Sequence, residues 1–120
     1  MKILQRLSFK KDSLSYFYAM PKKNPKDIIT QSQEAVLVDF YADWCGPCQT
    51  MNPVLEEVIT DLGGKVKLLK INVDKHPQLS QQFGIRSIPH YILFKRGKIL
   101  WRKAGILTKR DLLSQLKGFA

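Results

Sequence analysis

The spacing of apolar positions changes period several times along the chain, and each change marks an element. Ala35–Tyr41 (AVLVDFY) is a continuous apolar run holding one acid, Asp39. Its β-branched and aromatic residues, apolar on both faces, predict a central strand covered by helices on both sides. From Cys48 to Leu62, Met51, Val54 or Leu55, Val58 and Ile59 recur at helical spacing. Gly63-Gly64 ends that helix, and Pro53 inside it is expected to kink it. Val66–Val73 predicts a second buried strand. Asp74–Phe83 predicts a short helix, with Pro77 early and Gly84 as its stop. His90–Phe94 and Ile99–Ala104 are strands joined by the turn Arg96-Gly97-Lys98 into a hairpin. A last helix starts at Thr108; Asp111 completes a capping-box-like pair, and Leu112, Leu113, Leu116 and Phe119 form its apolar face.

The breaker cluster Pro21-Lys22-Lys23-Asn24-Pro25 sets a boundary. Residues 1–23 are a basic extension or a variant first strand, because Leu14–Met20 alternates with period two. Residues 24–120 are the folded domain, opening with a short helix over Pro25–Gln33. Alternating helices and strands predict an α/β fold. A parallel pair comes first, with a right-handed crossover, and an antiparallel hairpin follows. The mixed central sheet has four strands, or five with Leu14–Met20, and helices on both faces.

Composition changes this picture little. A chain of 120 residues is one domain. Charge is the feature that invites a different function: 20 Lys and Arg against 10 Asp and Glu give +10. Such an excess suits nucleic acid or an anionic surface. Half of it lies in residues 1–33, where seven cations face two acids. No nucleic-acid motif accompanies it, and that segment lacks the aromatic–basic interleaving of an RNA binder. Nucleic acid is therefore not an expected partner. No apolar run approaches the ~18 residues of a membrane span. The first twenty residues lack the apolar stretch of a signal peptide, so a cytoplasmic protein is expected.

The cysteines carry the chemistry. There are two, which excludes a disulfide-rich secreted scaffold and a four-cysteine zinc site. They lie at Cys45-Gly46-Pro47-Cys48, three residues apart at a helix start. There they can close a disulfide over one turn. The helix N-terminus favours a thiolate at Cys45. Cys45, expected to be exposed, is the nucleophile, and the shielded Cys48 is the resolving thiol. The other readings are a metal site and two incidental thiols. Zinc would have to draw on His76 and His90, whose spacing fits no common ligand pattern.

Trp44-Cys45-Gly46-Pro47-Cys48 resembles the active-site motif of the thioredoxin family. Further likeness lies in Val38-Asp39-Phe40, Pro53, Lys70-Ile71-Asn72-Val73-Asp74, Gly84-Ile85-Arg86-Ser87-Ile88-Pro89, Leu93-Phe94-Lys95-Arg96-Gly97 and Gly105. The resemblance spans residues 34–120 and implies the thioredoxin fold. It implies a protein-disulfide reductase acting through Cys45 and Cys48. Asp39 would be the buried acid that relays protons to the resolving thiol, and Lys70 the lysine that pairs with it. Ile88-Pro89 would be a cis-proline loop facing the disulfide. An extended substrate strand would pair with the Ile88 backbone. Trp44, Gly46, Pro47, Val73, Ile88, Ala104, Gly105 and Ile106 would form a collar around Cys45.

The resemblance also implies no metal and no cofactor beyond the redox-active pair. It implies disulfide-containing proteins and a flavin- and NADPH-dependent thioredoxin reductase as partners of a monomer. Three departures stand out. The largest is N-terminal: most of the family have a first strand and a longer first helix, whereas here only the Pro25–Gln33 helix clearly fits. Tyr41 replaces a common Trp, and His90 follows Pro89 where Thr is common; His90 is expected to point to solvent. Two other functions fit the same residues. One is a redox-inert subunit docked through the basic first 33 residues. The other is an electron donor dedicated to a single enzyme.

Overall fold

A computed structural model describes residues 24–119 of the protein. The expected strand Leu14–Met20 and the segment 1–23 lie outside the described residues.

The elements are α1 (Pro25–Gln31), β1 (Ala35–Tyr41), α2 (Gly46–Asp61), β2 (Val66–Asn72), α3 (Pro77–Gln82), β3 (His90–Lys95), β4 (Lys98–Ala104) and α4 (Lys109–Lys117). Local chemistry trims the expected boundaries. Helix α1 ends two residues early because Ser32 turns extended, and its Oγ hydroxyl donates to the Glu34 carbonyl. Helix α3 starts late because the Asn72 side chain accepts the N–H groups of Asp74 and Lys75, holding them in a turn. Helix α2 begins at Gly46, two residues before the apolar period, and continues through Pro53. The Thr108 N-cap of α4 is present: its Oγ1 accepts the Asp111 N–H at 3.0 Å.

Among the described residues the sheet has four strands in the order β2-β1-β3-β4. β1 pairs parallel with β2 and antiparallel with β3. The β3–β4 hairpin turns on Arg96 and Gly97, both at positive φ, as a two-residue primed turn requires. Gly97 has a second reason to be glycine: a Cβ there would come within 3.2 Å of the Thr30 carbonyl oxygen. Leu100 is the extra residue of a bulge in β4.

Alternate residues of β1 feed two cores. Leu37, with Leu68, Tyr91 and Leu93, packs beneath α2 and α4 against Met51, Leu55, Val58, Leu112 and Leu116. Val36, Val38 and Phe40 face the other layer with Ile29, Ile71, Leu79, Ile92 and Phe94. Burying each such side chain contributes about 1.5–3 kcal/mol, so β1 is the most heavily anchored element. No helix of the described residues is long and apolar enough to cross a membrane.

Candidate active site

β1 delivers the chain directly from the core into the cysteine turn. Cys45 is the N-cap of α2, and its Sγ accepts the Cys48 N–H at 3.1 Å. The two cysteines are disulfide-bonded, with Cα atoms 5.3 Å apart. With Ala42 they form a small buried cluster, against which Tyr41, Val73 and Ile88 pack. Cys45 is 4% exposed and Cys48 3%, so the expected contrast between an exposed and a shielded thiol is absent in the oxidised pair. What distinguishes the sulfurs is polarity. Cys45 Sγ sits at the positive end of α2 and accepts a backbone N–H, which stabilises developing thiolate charge.

Around this cluster the rim is open. Trp44 is 71% exposed, and Gly46 and Pro47 are exposed beside it. The Trp44 indole N–H donates to Asp74 Oδ2 at 2.9 Å, which fixes the ring on the β2 side. On the β3 side the Ile88–Pro89 bond is cis, and Pro89 is buried. The Pro89 carbonyl accepts the Gly105 N–H at 2.8 Å, so the end of β4 is tied to this loop. Val73 and Ile88 thus touch the cysteine cluster. Ala104 pairs with His90 and is exposed, Gly105 is half-buried, and Ile106 is 61% exposed on the outer rim.

β1, the strand that leads into the cysteine turn, also carries the buried acid. Asp39 is 1% exposed, and its register partners are Lys70 on β2 and Tyr91 on β3. Lys70 Nζ is 3.4 Å from Asp39 Oδ2, an ion pair outside hydrogen-bond geometry. Burial pushes the Asp39 carboxyl above the usual range, and Lys70 offsets only part of that. Burial, with the Asp39 charge adding to it, holds the proton on the Tyr91 hydroxyl well past its ordinary range. Burial, Asp43 and Asp39 also raise Tyr41, against a hydrogen bond from Asn72.

Two contacts here had weak sequence signals. The Lys70 ammonium donates to Asn52 Oδ1 and lies 4.8 Å from the Tyr41 ring centroid. Asn52 follows Cys48 by four residues on α2, one turn along the same face, and that spacing is the signal available for it. Asp74 as the anchor of Trp44 had none, since the two are thirty residues apart.

His90 does not point to solvent. It is half-buried, and its Nε2 accepts the Arg102 Nε–H at 3.2 Å. Arg102 also donates from Nη2 to the Phe83 carbonyl at 2.7 Å. Burial and the Arg102 charge depress the His90 pKa, so the ring adds no positive charge beside the cysteines at neutral pH. Among the described residues no group of three or more His, Cys, Asp or Glu is arranged to hold a metal ion.

A family model described as Thioredoxin matches residues 17–118. The chain belongs to the thioredoxin family. It is similar to thioredoxin of Rickettsia felis, 46% identical over 88 residues, covering 73% of this chain and 84% of that protein. Thioredoxin of Chlorobaculum thiosulfatiphilum is 42% identical over 101 residues, covering 84% and 93%. Among solved structures, a mutant thioredoxin from Halobacterium salinarum NRC-1 superposes with a TM-score of 0.71 at 33% identity, covering 78% of this chain and 80% of that one. Family membership and the paired cysteines make the chain a thiol-disulfide oxidoreductase with a redox-active Cys45–Cys48 disulfide. Thioredoxins need no cofactor for that exchange. The family match begins at residue 17, inside the segment that sequence reading set apart.

Proposed function

We propose that this oxidoreductase works as a reductase of protein disulfides in the cytoplasm, recharged by a flavin- and NADPH-dependent thioredoxin reductase. The observation that carries this reading is Cys45 Sγ at the α2 N-cap, accepting the Cys48 N–H beneath an open apolar lip. In the dithiol form the Cys45 thiolate attacks one sulfur of a substrate disulfide. A mixed disulfide forms, and the substrate's other sulfur leaves as a thiolate. Ionised Asp39 takes the Cys48 proton, directly or by relay. Cys48 then attacks Cys45 Sγ and releases the second substrate sulfur. The substrate ends as a dithiol and the protein as the Cys45–Cys48 disulfide.

Lys70 orients and partly neutralises the Asp39 carboxylate. Trp44, Gly46, Pro47, Val73, Ile88, Pro89, Ala104, Gly105 and Ile106 receive the substrate chain, and the Ile88 backbone pairs with it as an added strand. The apolar character of these residues suits a broad range of clients.

Reduction of insulin disulfides tests the reading. The protein is expected to accelerate insulin B-chain precipitation in the presence of dithiothreitol. It is also expected to couple NADPH oxidation to insulin reduction when a thioredoxin reductase is supplied. No acceleration in either assay overturns the proposal. The compartment is tested by the reduction potential of the Cys45–Cys48 pair. A cytoplasmic reductant is expected to lie within or below the cytosolic glutathione range, about −220 to −320 mV. A value near the strongly oxidising end, about −120 mV, contradicts it.

A further inference from the structure

Acidic residues stop at Asp74 and resume only at Asp111. The 36 residues between them contain nine Lys and Arg and no Asp or Glu. This stretch builds α3, the cis-proline loop and the whole β3–β4 hairpin. Its cis-proline loop and the Gly105 end of its hairpin border the active site.

Two of its cations flank the substrate-receiving loop. Arg86 is exposed two residues before Ile88, which packs against the cysteines. Lys103 is exposed on β4 and pairs in register with Tyr91, next to the His90–Ala104 pair that leads to Pro89 and Gly105. Lys95, Arg96 and Lys98 continue the positive charge to the hairpin turn. The ion pairs of the described residues lie elsewhere: Lys67 with Glu34, Lys70 with Asp39, and Lys109 with Glu57 and Asp61. Arg86 and Lys103 enter none of these, so their charge faces outward. The opposite lip has the other sign. Asp43 and Asp74 are both exposed there, and Asp74 holds the Trp44 indole. Across the cysteines the rim runs from negative on the β2 side to positive on the β3–β4 side.

A polypeptide fits this rim better than a nucleic acid does. Asp43 and Asp74 would repel a phosphate backbone lying across the site. Trp44 is the single aromatic among the strongly exposed large hydrophobic residues of the described chain, and Asp74 occupies its N–H. Base stacking along a strand needs several such rings.

We infer that the Arg86–Lys103 side of the rim selects client proteins that carry Asp or Glu next to the reactive disulfide, on the side that meets the β3–β4 hairpin. The inference rests on the reductase reading and names the substrate class of that same site. Opposite charges raise the encounter rate of client and rim and fix which way the client strand lies. Clients with lysine at the same place meet like charge and are disfavoured.

The test uses the full chain in its dithiol form and two synthetic disulfide peptides. They differ only in a pair of residues beside the cysteine, Glu-Glu or Lys-Lys. At low ionic strength kcat/KM is expected to favour the Glu-Glu peptide by about 10-fold, the lower range of electrostatic steering. The ratio is expected to fall toward one in about 0.5 M salt, where screening acts over a few ångström. In the double variant Arg86→Glu, Lys103→Glu the preference is expected to invert toward the Lys-Lys peptide. An inversion cannot come from partial unfolding, which lowers both rates together. Equal rates for the two peptides at low salt overturn the inference and leave the reductase reading standing. So does a Glu-Glu preference that survives in the double variant. Equal peptide rates together with retention on DNA that the double variant loses would mark a nucleic-acid surface instead. If neither peptide is reduced, the reductase reading falls and this inference falls with it.

Discussion

Cys45→Ser is expected to lower disulfide reduction by at least ~10³-fold, as loss of a covalent nucleophile does elsewhere. Cys48→Ser is expected to halt turnover at a different point and leave substrate attached through Cys45. The asymmetry follows from α2. Cys45 caps the helix and its sulfur accepts the Cys48 N–H, so negative charge is stabilised there. Cys48 lies within the first turn and is buried, placed to attack Cys45 and not an incoming chain. Exposure does not separate the two in the disulfide form, so the variants carry the distinction. Mass spectrometry of each variant after exposure to a disulfide peptide checks it. A mixed disulfide on Cys48→Ser and none on Cys45→Ser is the expected pattern. The reverse pattern would reassign the nucleophile.

Asp39→Asn is expected to make the protein more stable and less active at neutral and alkaline pH. The carboxyl is buried, and its pKa is raised above the ordinary 3.8. The folded chain therefore binds a proton that the unfolded chain has already released in the window above pH 3.8. Stability falls as pH rises through that window, up to the folded-state pKa, and the full loss persists above it. Asn at the same site has no charge to bury. The variant and the native protein are expected to converge only well below pH 3.8, where Asp39 is protonated in both states. They are expected to diverge as pH increases, each unit by which burial raises the Asp39 pKa contributing about 1.4 kcal/mol in the variant's favour at the plateau. That is several degrees in melting temperature for a domain of this size.

Lys70 keeps its bond to Asn52 and its place over Tyr41 in the variant, so removing the acid does not orphan it. Turnover is expected to fall about 10- to 100-fold at neutral pH, within the lower range for loss of a general base. Thermal melts across the pH range and insulin reduction rates check both parts. Equal melting curves at high pH would show that Asp39 is solvated. Unchanged turnover would remove it from the proton path.

Much of this was legible in the residues. The switch from a continuous apolar run to helical spacing located β1 and α2, because a central strand is apolar on both faces and a covering helix on one. Thr108 and Asp111 located α4 because capping is a local property. Boundaries shifted where a side chain competed with the backbone, as Asn72 does before α3 and Ser32 after α1. The Asp39–Lys70 pair was legible only through family likeness. No spacing rule joins residues thirty-one apart; the parallel register of β1 and β2 does. His90 was misjudged for the same reason. Its partner Arg102 lies on the returning strand, and an imidazole accepting from a guanidinium is neutral and half-buried, not solvated. Cys45 is buried where its position in the sequence predicts exposure, and Val73 and Ile88, from distant parts of the chain, pack against the pair.

β1 is paired on both sides and buried on both faces, and it runs without interruption into the residues that precede Cys45. Freeing its amides to solvent means dismantling the sheet itself, so its opening free energy approaches that of global unfolding. The reactive pair is thus fastened to a strand whose amides are expected to exchange among the slowest of the molecule, an anchor that lives as long as the fold does.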